Sequence, residues 1–307
     1  MSLRLPSALD RILRPPSWPA NLERMPRVRH VGLHYDTEWS RKPAARAARR
    51  AVQEGLLAPL TRLVTSPEIS GLEHLTPLEG AVIFAGNHSS HLDAGVLLSA
   101  LPERFRRKAV VAAAADYFFD RTWKATLSSF LLGAIPVDRV HVNRKSADDA
   151  AALLAEGWSL VIFPEGGRSP DGWGQEFRGG AAYLAKRCGV PVVPVHLKGV
   201  RPIFPKGSGR LHPGHVEVRF GDALWPETAA EGRGEDARRF AARVEGAVAE
   251  LADEAESDWW SARRRAAAGE TPPIRGPEAA AWRRAWALPE SARRDARPRS
   301  RSRAKPW

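Results

Sequence analysis

From Ala81 onward the chain alternates short apolar runs with longer segments of helical periodicity. The apolar runs are AVIFA (81–85), KAVVAAA (108–114), GAIPV (133–137), SLVIFP (159–164), VPVVPVHL (190–197) and HVEVRFG (215–221). They have strand length and carry β-branched residues, and several end in Gly, Pro or a polar residue, the pattern of strands covered on both faces. Helical patterns fall between them at 90–100, 120–132, 144–156 and 177–188. This rhythm predicts an α/β fold with a mostly parallel central sheet flanked by helices.

Two further helical segments flank that unit. PAARAARRAVQEGLLAPLTRLV (Pro43–Val64) has Pro near its start, strong helix formers, a basic first half, and then Leu56, Leu57, Leu60 and Leu63. Such a helix either packs on the domain or lies on a membrane surface. Residues 232–264 form the second, which ends in polar sequence marked by Trp259 and Trp260. The expected organisation is an N-terminal arm (1–42), a domain (43–264) that includes both helices, and a basic tail (265–307) rich in Pro, Arg and Trp. No internal repeat is visible.

Composition narrows the functional classes. At 307 residues and 43% hydrophobic, the chain can bury one sizeable core. Its single cysteine, Cys188, excludes an intramolecular disulfide and fits a reducing compartment. No early apolar stretch suggests a secretory signal, and no apolar run is long enough to span a bilayer. Any membrane association is therefore expected at the surface. The net charge of +12 points to anionic partners, either nucleic acid or lipid. Much of that excess lies in the tail. No zinc-finger spacing, RNA-binding aromatic signature or helix-turn-helix pair accompanies it, so no specific nucleic acid is expected.

Candidate chemistry begins where the first run ends, in GNHSSHLDAG (86–95). Ligands bind beyond the carboxyl ends of strands in open α/β sheets. His88, His91 and Asp93 lack the supporting residues of an HExxH or cysteine-rich site, so no metal is expected there. As an acid–base pair, His88 takes a proton from a hydroxyl while Asp93 orients the imidazole. Five residues do not share a helix face, so the pair meets only if His88 precedes the helix and Asp93 lies in its first turns. Ser89 and Ser90 are candidate caps for that helix. No GxSxG elbow supplies a protein nucleophile, which suggests that the substrate brings the hydroxyl.

A second strand end, FPEGGRSPDG (163–172), places adjacent glycines beside Arg168. Gly166 and Gly167 permit a tight turn with exposed backbone N–H groups, and a guanidinium forks onto phosphate oxygens. Glu165 is suited to accepting a substrate hydroxyl or holding an arginine, or the segment is an ordinary strand exit with a salt bridge. The GK[ST] ending of a nucleotide-binding loop is missing. Between the two, Arg139 follows the GAIPV run and is placed to reach the same edge or to pair with a surface acid such as Asp138.

Four segments in order, NHSSHLD (87–93), GAIPVDR (133–139), FPEGGRS (163–169) and VPVVPV (190–195), resemble the glycerolipid acyltransferase family that includes the 1-acylglycerol-3-phosphate acyltransferases. The resemblance covers roughly residues 60–225 and implies that family's fold. It also implies His88 as general base with Asp93 as its partner. Gly133 and Arg139 fall on glycerophosphate-binding positions, and Glu165, Gly166, Gly167 and Arg168 on acceptor-binding positions. Gly167 departs from the familiar threonine. Pro194 falls on a position that shapes the acyl or active-site channel. The implied reaction moves a fatty acyl group from acyl-CoA or acyl-carrier protein, used as substrate, to a lysophospholipid hydroxyl. The best expected acceptor is 1-acyl-glycerol 3-phosphate, giving phosphatidic acid, with no bound cofactor. The implied location is cytoplasmic, peripheral on the inner, anionic face of the cell membrane. Two alternatives remain open: another lipid or specialised-metabolite acceptor, and a non-catalytic membrane- or nucleic-acid-binding protein on the same fold.

Overall fold

A computed structural model of the chain describes residues 32–138, 144–169, 172–204, 211–227 and 235–276. Its centre is a seven-stranded sheet, with strands β1 (Pro67–Ser70), β2 (Ile83–Gly86), β3 (Ala109–Ala114), β4 (Ala134–Val137), β5 (Ser159–Ile162), β6 (Val192–Lys198) and β7 (Val216–Phe220). The order is β1-β7-β6-β2-β5-β3-β4. Every pairing is parallel except β6 with β7. All six predicted runs are strands. The seventh, β1, escapes the sequence reading because PEIS has one apolar residue; it forms by pairing in parallel with β7 at the sheet edge.

The unbroken apolar runs are explained by covering on both faces. Val82 and Phe84 point into one core with Val193, Val195, Val218 and Phe220, capped by helix α3 (Asp93–Ala100). Their neighbours Ile83 and Ala85 point into the other, with Leu160 and Val192, under helices α5 (Arg144–Ala155), α6 (Gly180–Cys188) and α7 (Ala237–Glu256). Alternation along a strand thus puts apolar residues on both sides.

The N-terminal helical segment is α1 (Pro43–Val52), a π turn (Gln53–Leu57) and α2 (Ala58–Thr65). It is clipped to the end of α4 (Thr122–Leu132) by two side chains. Arg49 donates to the carbonyls of Phe130 (2.6 Å) and Ser129 (3.2 Å), and Gln53 donates to that of Leu131 (2.7 Å). Cations and amide donors satisfy a helix C-terminus in this way. Burial first, then Arg46 and Arg41, lowers the Arg49 pKa to about 10. The arm and domain boundaries expected from sequence blur here. Tyr35 packs on Phe119 at 5.8 Å and bonds to Thr126, so part of the arm docks on the body.

The expected single helix over 232–264 is two, α7 and α8 (Trp259–Ala268). Asp258 caps the second by accepting from the Ser261 N–H. Arg265 returns to Asp253 in a bidentate pair at 2.7 Å, which locks the corner. The chain then runs back so that Gly174 pairs with Arg275, beyond the expected boundary at 264.

Candidate active site

Strand β2 ends at Gly86, and Asn87 pins the following turn to β6. Its side chain donates to the Leu197 carbonyl at 2.9 Å and accepts from the Leu197 N–H at 2.8 Å. His88 then precedes α3 and Asp93 is its first residue, the one arrangement that lets a five-residue spacing close. His88 Nδ1 lies 2.8 Å from Asp93 Oδ2. Asp93 is fully buried, and the same oxygen accepts the backbone N–H groups of Ser89 (2.6 Å) and Ser90 (2.8 Å). With Oδ2 already accepting from these two N–H groups, the tautomer that suits the contact is the one in which Nδ1–H donates to Asp93 and Nε2 keeps its lone pair.

The serines are not the caps that their sequence suggests. Leu92 occupies the cap position of α3 and makes no side-chain cap bond. Ser89 and Ser90 instead supply backbone donors that hold Asp93. The N–H groups of His88, Ser89 and Ser90 point at Glu165 and Asp93, so an oxyanion must find its donors outside these three.

The second strand end braces the first. Phe163, after β5, stacks on the His88 ring with centroids 4.4 Å apart and planes 19° apart. The Ser169 N–H donates to the His88 carbonyl at 2.9 Å. Glu165 is only 2% exposed. Its Oε1 accepts the His88 N–H at 2.8 Å and its Oε2 the Gln175 N–H at 3.2 Å. Burial pushes the Glu165 pKa well above the ordinary carboxylate range and the neighbouring Asp93 charge adds to this, while the two N–H bonds oppose. In this structure, therefore, Glu165 fixes backbone. Gly166 has φ +72°, and a Cβ there would meet the Arg178 side chain at 2.9 Å, so only glycine fits the turn. The Gly167 carbonyl faces the Gln175 side-chain amide at 3.4 Å.

Arg168 extends from this turn to Tyr117, its guanidinium carbon 5.9 Å from the ring centroid. His91 bonds the Tyr117 hydroxyl through Nε2 at 3.0 Å. The structure thus gathers His88, Asp93, Glu165, Gly166, Gly167 and Arg168 on two linked turns. It places Gly133 elsewhere. Gly133 precedes β4, at the strand edge opposite His88, where it ends α4 with φ +65° against the Ala109 carbonyl and Arg49. Arg139 lies outside the described residues. Pro194 lies in β6 facing α7, in a groove of about 420 Å³ lined also by Leu224, Ala247 and Leu251. It sits between the Val195–Phe220 pair and the Val192–Leu224 bridge, where the β7 side carries one extra residue. A strand tolerates proline at such a bulge.

Sequence reasoning missed Phe163, Gln175, Arg178 and Tyr117. Only Phe163 had a signal, as the bulky residue that ends an apolar run above a candidate turn. Among the described residues, no three His, Cys, Asp or Glu side chains group as metal ligands.

The Acyltransferase family model matches residues 66–198. The chain is 33% identical over 167 residues to a 1-acyl-sn-glycerol-3-phosphate acyltransferase of Chlamydomonas reinhardtii, covering 53% of this chain and 48% of that protein. It is 34% identical over 159 residues to a chloroplastic 1-acyl-sn-glycerol-3-phosphate acyltransferase of Arabidopsis thaliana, covering 49% and 41%. The chain spans about half the length of the curated relatives it matches. The fold is that of the crystal structure of the 1-acyl-sn-glycerophosphate acyltransferase PlsC from Thermotoga maritima, with TM-score 0.53 and 23% identity over 73% of this chain and 85% of that one.

Proposed function

We propose that this chain, whose residues 66–198 form a domain of the glycerolipid acyltransferase family, moves a fatty acyl group from an acyl thioester to the hydroxyl of a lysophospholipid. The carrying observation is the His88–Asp93 pair, with the Asp93 carboxyl group held in place by the N–H groups of Ser89 and Ser90. His88 Nε2 takes the proton of the acceptor hydroxyl as that oxygen attacks the thioester carbonyl. The buried Asp93 carboxylate stabilises the imidazolium. The C–S bond then breaks and the imidazolium returns its proton to the departing thiolate, leaving an ester and a free thiol. Acyl-CoA and acyl-carrier protein both supply such a thioester.

The acceptor reading is 1-acyl-glycerol 3-phosphate, with Arg168 on its phosphate. The similarity to 1-acyl-sn-glycerol-3-phosphate acyltransferases and the position of Arg168 beside the His88 turn support it. Among the described residues no helix is long and apolar enough to cross a membrane. The exposed Leu56, Leu60 and Leu63 on the N-terminal helical segment, with Trp123 and Leu127 on α4, favour a peripheral position on a membrane surface, and the net charge of +12 favours an anionic one. The test is a panel. Protein is incubated with labelled acyl thioester and glycerol 3-phosphate, lysophosphatidic acid, monoacylglycerol or amino-acid lysolipids, and products are identified by mass. Lysophosphatidic acid is expected to give the highest kcat/KM. A better acceptor without phosphate overturns the acceptor reading, and the absence of any acylated product overturns the enzyme reading.

A further inference from the structure

Tyr117 belongs to the one-turn helix Ala115–Phe118 that follows β3, at the same sheet edge as His88. Its ring is 44% exposed and is a meeting point of three elements. From the His88 turn, the His91 imidazole stacks on it at 5.0 Å with planes 21° apart, and the hydroxyl bonds His91 Nε2. From the glycine turn comes Arg168, 5.9 Å from the centroid. From α4 comes the Lys124 ammonium, 5.3 Å from the centroid and paired with Asp120 at 2.9 Å. Cations within about 6 Å of an aromatic centroid are attracted by the ring quadrupole.

We propose that Tyr117 is a positioning residue that sets the preference for an anionic acceptor, acting through Arg168. A long guanidinium side chain loses rotamer freedom when it grips a phosphate. A ring that restricts Arg168 beforehand reduces that loss and tightens binding. The stacked His91 ring holds the plane of the Tyr117 ring, so the restriction has a direction. An acceptor without phosphate makes no demand on Arg168 and is indifferent to the ring. The proposal rests on the reading of Arg168 as the phosphate ligand.

The experiment compares wild type, Y117L, Y117F, R168A and the double variant Y117L/R168A on lysophosphatidic acid and monoacylglycerol, in the same mixed micelles at saturating thioester. Y117L is expected to lower the preference ratio for the phosphorylated acceptor about 2- to 5-fold, through KM rather than kcat. Y117F keeps the aromatic face and is expected to retain most of the preference. In the R168A background, Y117L is expected to change the ratio no further. Equal losses on both acceptors, a kcat effect alone, Y117F matching Y117L, or an unchanged Y117L ratio would each overturn the role of Tyr117. The phosphate reading is checked separately. R168A that keeps the wild-type preference removes both claims, whereas R168A that loses it while Y117L does not removes only the second. Thermal melts of each variant identify any loss due to unfolding.

Discussion

The carboxyl edge of β2 and β5 on one hand, and on the other two separate places, Gly133 at the amino end of β4 and Pro194 within β6, all match motifs of the family that the sequence resembles, yet they are built differently. At the first, two turns exchange backbone bonds: Ser169 to His88, and His88 to Glu165. A partly exposed imidazole is left on a buried carboxylate, with its Nε2 lone pair available to take a proton. At the others, Gly133 terminates a helix against a buried arginine, and Pro194 fills a bulge under α7. Membership of the same set of motifs therefore does not make a common site. On the proposed function the first would carry chemistry, while Gly133 and Pro194 serve the architecture around them.

The sharpest way to break this division is His88→Ala. It is expected to lower turnover by about 10²- to 10⁴-fold, the range of general-base removal, with little change in melting temperature. Asp93→Asn should also lose turnover, because an amide in that place disturbs both the imidazole and the two N–H donors. Thioester consumption and acylated product, assayed with the melt, decide it. H88A with full turnover would place the chemistry elsewhere.

On the architectural side the largest effect is expected from pH. His196 is buried on β6, two residues from Pro194, and its Nδ1 has no hydrogen-bond partner. Burial first, then Arg219 and Lys198, lowers its pKa to about 4, against the pull of Glu217. The unfolded chain takes up this proton below about 6.5 while the folded chain resists it until about 4, so stability is lost as pH falls through that window. The contribution is about 3 kcal/mol by linkage. Urea melts at pH 7, 5.5 and 4.5 should show a shallower loss in His196→Leu than in wild type. Parallel curves would mean that His196 titrates alike in both states.

The smallest expected effect sharpens the comparison from the Gly133 side. Gly133→Ala forces a Cβ into a left-handed residue, 3.0 Å from the Ala109 carbonyl and from Arg49. It should cost about 1–3 kcal/mol of stability, read as a lowered melting temperature, while the folded protein keeps its kcat. If G133A instead raises KM for a phosphorylated acceptor without loss of stability, Gly133 belongs with the binding site after all.

The sequence by itself determined six of the seven strands: the runs from Ala81 to Lys198 are largely apolar because both faces are covered, and HVEVRFG alternates apolar with charged residues at period two. It also determined the His88–Asp93 pair, since both members lie within one strand-to-helix turn and local geometry leaves a single way to join them. Tertiary structure decided the rest. The edge strand Pro67–Ser70 exists by pairing rather than by pattern, and the angle at Ser257 is held by Arg265 reaching back to Asp253. The grip of Glu165 on His88 spans 77 residues, and the Tyr117–Arg168 contact also joins separate elements. No periodicity records such contacts, because they arise only when separate strand ends are brought to one edge of the sheet.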